Sequence, residues 1–227
     1  METLERNEID IVASRIIDSL VVKGVLSKNS YDPKLFNELH ELLKENFNIP
    51  QTSITNIMAR TLFGISSSYE PLTIVGAGTY TGNALAWLAG KQLINSDKLV
   101  KVYGLDTSKD ATEIAKSNFS NIKANNVFLL QEDAIEWLNN TNLKIDLLYI
   151  DIDTIKDGKR KYLDLLIAAY PKINPGGLVI AHDVNEEKFI RDLKPFLEEI
   201  QNTEKFKHSI NLNIDSFGIS ISVKGDN

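Results

Sequence analysis

Two hydrophobic rhythms divide the chain. Up to about residue 70, apolar positions recur every three to four residues: Ile9, Val12, Ile16 and Leu20, then Leu35, Leu39, Leu42 and Leu43 after "KNSYDP". That spacing gathers them on one helical face, so residues 1–70 are expected to form an N-terminal helical cap. From Leu72 onward, short apolar runs alternate with longer amphipathic ones, as in a parallel sheet whose strands are joined by crossover helices. The expected strands cover 72–75, 100–105, 127–130, 145–150 and 178–181. The tail changes rhythm again: "HSINLNI" and "FGISISVK" alternate residue by residue around "DS", which predicts an antiparallel hairpin. Residues 71–227 are therefore expected to form an α/β domain, a doubly wound, mostly parallel sheet of seven strands closed by a C-terminal hairpin.

Composition narrows the chemistry. The chain of 227 residues has no cysteine, which excludes disulfides, thiolate metal sites and a cysteine nucleophile. Any metal would have to be held by oxygen and by the nitrogens of three histidines, His40, His182 and His208. His40 and His208 read as structural or surface residues, and Trp87 and Trp137 as core. The net charge of -6 argues against nucleic acid as a partner. The one dense basic cluster, "KDGKRKY", reads as a solvated helix start. No apolar run is long enough to span a membrane and the charged N-terminus lacks the form of a secretory signal, so a cytoplasmic protein is expected.

The richest local signal is "LTIVGAGTYTGNALAWLAG", an apolar strand, a glycine turn and a helix. Gly76, Gly78 and Gly82 allow close approach of a ligand to the backbone, and the helix that follows directs free N–H groups at it. A turn with a purely structural role is the alternative. The next strand ends in Asp106, placed to accept both ribose hydroxyls of a nucleoside, or else to cap the following helix. The third glycine comes one residue later than a dinucleotide fingerprint requires, which disfavours a nicotinamide-dependent oxidoreductase.

Five stretches, "VGAGTYTGNALAWLA", "VYGLDTSKDATEIAKSNF", "VFLLQEDAIEWL", "IDLLYIDID" and "INPGGLVIAHDV", follow the order and spacing of motifs in class I S-adenosylmethionine-dependent methyltransferases. Within that class the chain resembles the small-molecule O-methyltransferases of the catechol, caffeoyl-CoA and macrolide-sugar types, over about two-thirds of its length. The resemblance implies a Rossmann-like fold and S-adenosylmethionine as cofactor. Gly78, Thr79, Tyr80 and Gly82 would lie along its methionine part, Asp106 would take the ribose, Asp133 with Ala134 would border the adenine, and Gly76 and Asp151 are also expected among the cofactor-binding residues. Asp133 also reads as the N-terminal acid of the helix "AIEWL". The family commonly has an acidic residue where this chain has Gly76.

The fourth and fifth predicted strands end in "YIDID" and "IAHD", which brings Asp151, Asp153, His182 and Asp183 to the carboxyl edge of the sheet, where α/β proteins bind ligands. Asp151, His182 and Asp183 are a plausible oxygen and nitrogen set for Mg²⁺. In the resembled family such an ion orients the acceptor hydroxyl, with Asp151 as first ligand and His182 and Asp183 at the positions of the later pair. Thr154 stands where the family carries a lysine or histidine base, and Lys156 is out of register. His182 and Asp153 are then the candidate proton acceptors. Asp183 as a helix cap is the bland alternative for that position. The function expected is methyl transfer to a hydroxyl of a small molecule, with possible metal assistance and a homodimer through the cap. The alternative is a methyltransferase-like fold that binds a ligand without transferring methyl.

Overall fold

The structure is a computed structural model that describes residues 2–50, 53–94, 100–154 and 156–226. Seven strands form one sheet in the order β3-β2-β1-β4-β5-β7-β6. They are β1 (Thr73–Ala77), β2 (Lys101–Asp106), β3 (Val127–Gln131), β4 (Ile145–Ile150), β5 (Ile173–His182), β6 (Phe206–Leu212) and β7 (Ile219–Lys224). The first five pair in parallel, and β7 inserts antiparallel between β5 and β6. The doubly wound sheet and its closing hairpin are those the hydrophobic pattern predicts.

The apolar runs of the strands belong to two cores, one on each face. Ile74, Leu147, Leu178 and Ile180 face one cluster; their neighbours Val75, Leu148, Val179 and Ala181 face the other. Alternation along a strand sends successive side chains to opposite faces, so a centrally placed strand must be apolar throughout. The first face is covered by α1 (Glu2–Val22), α2 (Pro33–Asn46) and α3 (Asn56–Tyr69), which form the cap, together with α4 (Asn83–Ala89) and α5 (Lys109–Asn121). Cap residues such as Ile17, Phe36 and Leu39 share one continuous cluster with Ile74 and Leu178 of the sheet. The second face is covered by α6 (Ala134–Asn140), α7 (Tyr162–Ala169) and α8 (Ile190–Glu199). No described helix is long and apolar enough to cross a membrane.

Two local readings need correction. The fifth strand starts before the expected residue 178: "NPGG" lies within β5, where pairing steps from Ile145↔Ile173 to Leu147↔Leu178, so the extra residues form a bulge, with Gly176 at φ 76°. The basic stretch "KDGKRKY" is not a solvated helix start. Thr154 and Gly158 exchange backbone hydrogen bonds across a short reversal, α7 begins only at Tyr162, and Lys159 is fully buried. Trp87 is core as expected, and Trp137 packs partly buried against the second cluster.

Candidate active site

The carboxyl ends of β1, β2 and β4 meet at the glycine turn. Gly78 has φ 81°, and a Cβ there would lie 2.2 Å from the backbone oxygen of Asp151, so only glycine lets the turn close against the end of β4. Tyr80 is also left-handed, at φ 49°. Its N–H donates to Asp106 Oδ2 at 2.7 Å, and the N–H of Ser108 donates to Asp106 Oδ1 at 2.8 Å. The cap of α5 is Ser108, whose hydroxyl accepts from the N–H of Ala111, so the capping role considered for Asp106 falls to its neighbour. Asp106 is fixed by one backbone donor on each oxygen, and each oxygen retains acceptor capacity for a ligand.

Two clefts flank the turn. The larger, of about 490 Å³, is lined by Gly78, Tyr80, Asp106, Asp133, Ala134 and Asp151, with Asp153 and Asp183 further along. The smaller, of about 190 Å³, is lined by Ser53 and Ile54 from the cap, Thr79 and Asn83 from the turn region, and His182 and Phe217. Gly78, Tyr80, Asp151 and Asp183 line both, so the clefts meet there. Asp133 has two roles. Its Oδ1 caps α6 by accepting from the N–H groups of Ile135 and Glu136, while the residue also lines the larger cleft.

Other expected cofactor contacts are placed differently. Gly76 lines neither cleft; a Cβ there would meet the Leu85 side chain at 3.0 Å, so this glycine serves the packing of α4 on β1. Gly82 likewise lies under Phe119, whose ring is 2.6 Å from the position of an added Cβ. The Thr79 hydroxyl turns inward, 3.3 Å from the carbonyl oxygens of Gly76 and Leu105. Asp153 is exposed and lines the larger cleft but not the smaller one.

Asp151, His182 and Asp183 converge as the strand ends predict, each offering a ligand atom within 4.8 Å of the others. The residue missing from the sequence reading is Lys159. Its Nζ is 2.8 Å from Asp151 Oδ1, 2.8 Å from Asp183 Oδ2 and 2.8 Å from the Tyr162 hydroxyl. On the other side of the carboxylates, His182 Nδ1 is 3.2 Å from Asp151 Oδ2 and 3.1 Å from Asp183 Oδ1. Nδ1 is aligned with neither as a single hydrogen bond, and Nε2 meets no polar partner among the described residues. The signal for Lys159 was the Asp157-Gly158 pair, a turn dipeptide that reverses the chain instead of starting a helix.

Burial disfavours the charged forms of Lys159 and His182, but the charges and contacts of Asp151 and Asp183 outweigh it and hold both above their ordinary pKa values. Burial also acts to raise the Asp151 carboxyl, yet the Lys159 charge and the His182 contact hold it well below the usual range. Tyr149 and Tyr162 are pushed well up by burial and by the neighbouring carboxylates. A divalent ion does not fit this set as it stands, because the Lys159 ammonium already bridges two of its three ligands.

A family model described as a methyltransferase domain matches residues 75–184, the span from β1 through the cluster on β5. The chain is 28% identical over 80 residues to a probable cobalt-precorrin-6B C(15)-methyltransferase (decarboxylating) from Sulfurisphaera tokodaii, an alignment covering 35% of this chain. The chain spans 38% and 21% of the lengths of the two curated relatives it matches. Among solved structures, a putative caffeoyl-CoA O-methyltransferase from Staphylococcus aureus superposes with a TM-score of 0.65 at 20% identity, over 95% of this chain and 100% of that one. An O-methyltransferase from Bacillus cereus, solved in complex with SAH, superposes with a TM-score of 0.64 at 16% identity, over 95% and 99%. The resemblance drawn from the five motifs thus holds for the Rossmann-like fold, and the methyltransferase-domain match falls on the span that carries those motifs.

Proposed function

We propose that this protein transfers the methyl group of S-adenosylmethionine to a hydroxyl of a small molecule. The observation that carries the reading is the pair of clefts meeting at Gly78, Tyr80, Asp151 and Asp183, one suited to a nucleoside and the other to a small acceptor. A volume of about 490 Å³ is within the range of ligand and cofactor pockets. Asp106 would accept the ribose hydroxyls, Asp133 and Ala134 would flank the base, and the Gly78–Tyr80 backbone would border the amino-acid end. S-Adenosylmethionine bound there supplies an electrophilic methyl group on a positively charged sulfur.

The chain's own work is to orient the acceptor and to take its proton. Between two carboxylates, His182 is held with its Nδ1 proton facing them, an assignment made from those neighbours, which leaves the Nε2 lone pair free. His182 lines the smaller cleft with Nε2 buried and unpartnered among the described residues, so it would receive the proton of an acceptor hydroxyl seated directly against the ring. In the balanced reaction the acceptor oxygen would take the methyl group and leave the sulfur as a neutral thioether, and His182 would take the hydroxyl proton. Rate comes mainly from holding the two reactants in line in a cleft walled by Ile54 and Phe217.

The test is calorimetric titration with S-adenosylmethionine, S-adenosylhomocysteine and NAD, followed by product analysis over hydroxylated acceptors. Micromolar binding of both sulfur nucleosides and a methylated product are expected. A folded protein that binds neither sulfur nucleoside overturns the reading. Binding without methylated product from any acceptor class leaves a ligand-binding scaffold and overturns the transfer step.

A further inference from the structure

Two carboxylates alternate with an ammonium and an imidazole around the junction of the clefts. Asp151 gives Oδ1 to Lys159 and turns Oδ2 to His182; Asp183 gives Oδ2 to Lys159 and turns Oδ1 to His182. All four carboxylate oxygens are therefore engaged from within the chain. We propose that the Lys159 ammonium is the resident cation of this site, standing where a divalent ion would bind, and that the site works without metal. For its catalytic meaning the inference rests on the methyltransferase reading. Its geometry does not.

Three features hold the ammonium in place. Its donors reach Asp151, Asp183 and the Tyr162 hydroxyl, each at 2.8 Å, which satisfies all three N–H groups. The Tyr162 and Phe189 rings lie with centroids 5.0 and 5.2 Å from Nζ and leave the side chain with no exposed surface. The backbone behind it is pinned as well. Thr154 and Gly158 are joined by paired hydrogen bonds, Gly158 is packed against Asp192 of α8, and Arg160 Nε is 3.0 Å from Asp192 Oδ1. A divalent ion would have to expel a buried ammonium from two carboxylates while repelled by its charge. It would also need space for the waters such ions retain. Lys159 is thus a positioning residue: it fixes the two carboxylates that fix His182, and does so without an exchangeable ion.

Manganese(II) is the probe, followed by electron paramagnetic resonance and by thermal shift on the full chain. The wild-type protein is expected to show no stoichiometric Mn²⁺ binding at micromolar concentration and no change in melting temperature between Mn²⁺ and EDTA. Lys159→Met keeps much of the side-chain length, removes the charge and leaves two carboxylates and an imidazole. It is expected to bind Mn²⁺ at least ~10-fold more tightly than wild type and to be stabilised by it. Stoichiometric micromolar binding by the wild type, lost in Asp183→Asn, overturns the proposal. A Lys159→Met protein that folds but binds Mn²⁺ no better than wild type also overturns it. If Lys159→Met fails to fold in EDTA, refolding in Mn²⁺ supports the proposal, whereas failure in Mn²⁺ as well leaves the wild-type titration to decide. Titration of the wild type with S-adenosylhomocysteine separates the two claims, because its failure to bind would sink the methyltransferase reading while the Mn²⁺ result stood.

Discussion

In the proposed function Asp106 holds and His182 reacts, and their substitutions should separate accordingly. Asp106 ties the glycine turn to the end of β2 through Tyr80 and Ser108 while keeping acceptor capacity toward the larger cleft. Removing a charged hydrogen-bonding partner costs about 1.5–3 kcal/mol, so Asp106→Ala should weaken S-adenosylhomocysteine binding roughly 10- to 100-fold in calorimetry. His182→Gln keeps a polar side chain but no base. It should lower kcat by about 10²- to 10⁴-fold and leave cofactor affinity within about twofold. Acid stability follows from Asp151, whose carboxyl is held below its ordinary pKa in the folded protein. A depressed carboxylate contributes stability at pH values above its unfolded pKa, about 4, and that contribution is lost as pH falls from there toward the folded value. Urea midpoints should therefore decline steadily below about pH 4, and less steeply in Asp151→Asn.

At the scale of elements, the glycine turn works through what it excludes. Gly78→Ala combines a left-handed φ with a Cβ 2.2 Å from the backbone of Asp151, which neither strand can yield. A loss of about 3 kcal/mol or more is expected, seen as a fall in melting temperature together with loss of cofactor binding. Gly76→Ala meets only the end of the Leu85 side chain and should cost less. The strands and the turn were legible because periodicity and glycine spacing are local signals, and parallel strands ending in Asp106, Asp151 and His182 must bring those residues to one edge. Lys159 was not legible in the same way. A run of four basic residues in seven reads as solvated unless the Asp157-Gly158 reversal is given weight, and its partners lie on different strands. Phe217 and Ser53 reach the smaller cleft from the hairpin and the cap, which no local pattern announces. Gly76 failed as a contact for the opposite reason: a glycine beside a binding turn attracts a functional reading, although the packing of Leu85 is sufficient cause for it.

For the whole molecule, the question is whether the cap is a separable lid or part of the fold that builds the site. Its apolar residues join the same cluster as the sheet, and the Thr55 hydroxyl at the start of α3 donates to Asp215 Oδ2 at 2.6 Å in the turn of the hairpin. Within the cap, Arg60 Nε is 2.6 Å from Asp10 Oδ1, the Tyr31 hydroxyl donates to the same oxygen, and the guanidinium lies 4.2 Å over the Phe36 ring. One buried ion pair thus connects α1, α2 and α3. Asp10→Ala would strand a buried guanidinium, at a cost of about 3–5 kcal/mol, a large share of the roughly 5–15 kcal/mol that holds such a domain. If cap and sheet share one core, this change far from either cleft should lower the melting point by roughly 6–20 °C in a single transition. Circular dichroism and tryptophan fluorescence should report the same midpoint, since Trp87 lies in the shared cluster and Trp137 against the opposite one. Two resolved transitions, with the Trp137 side melting at the wild-type temperature, would instead make the cap an independent lid, and the smaller cleft that Ser53 and Ile54 help to wall would then open without disturbing the larger one.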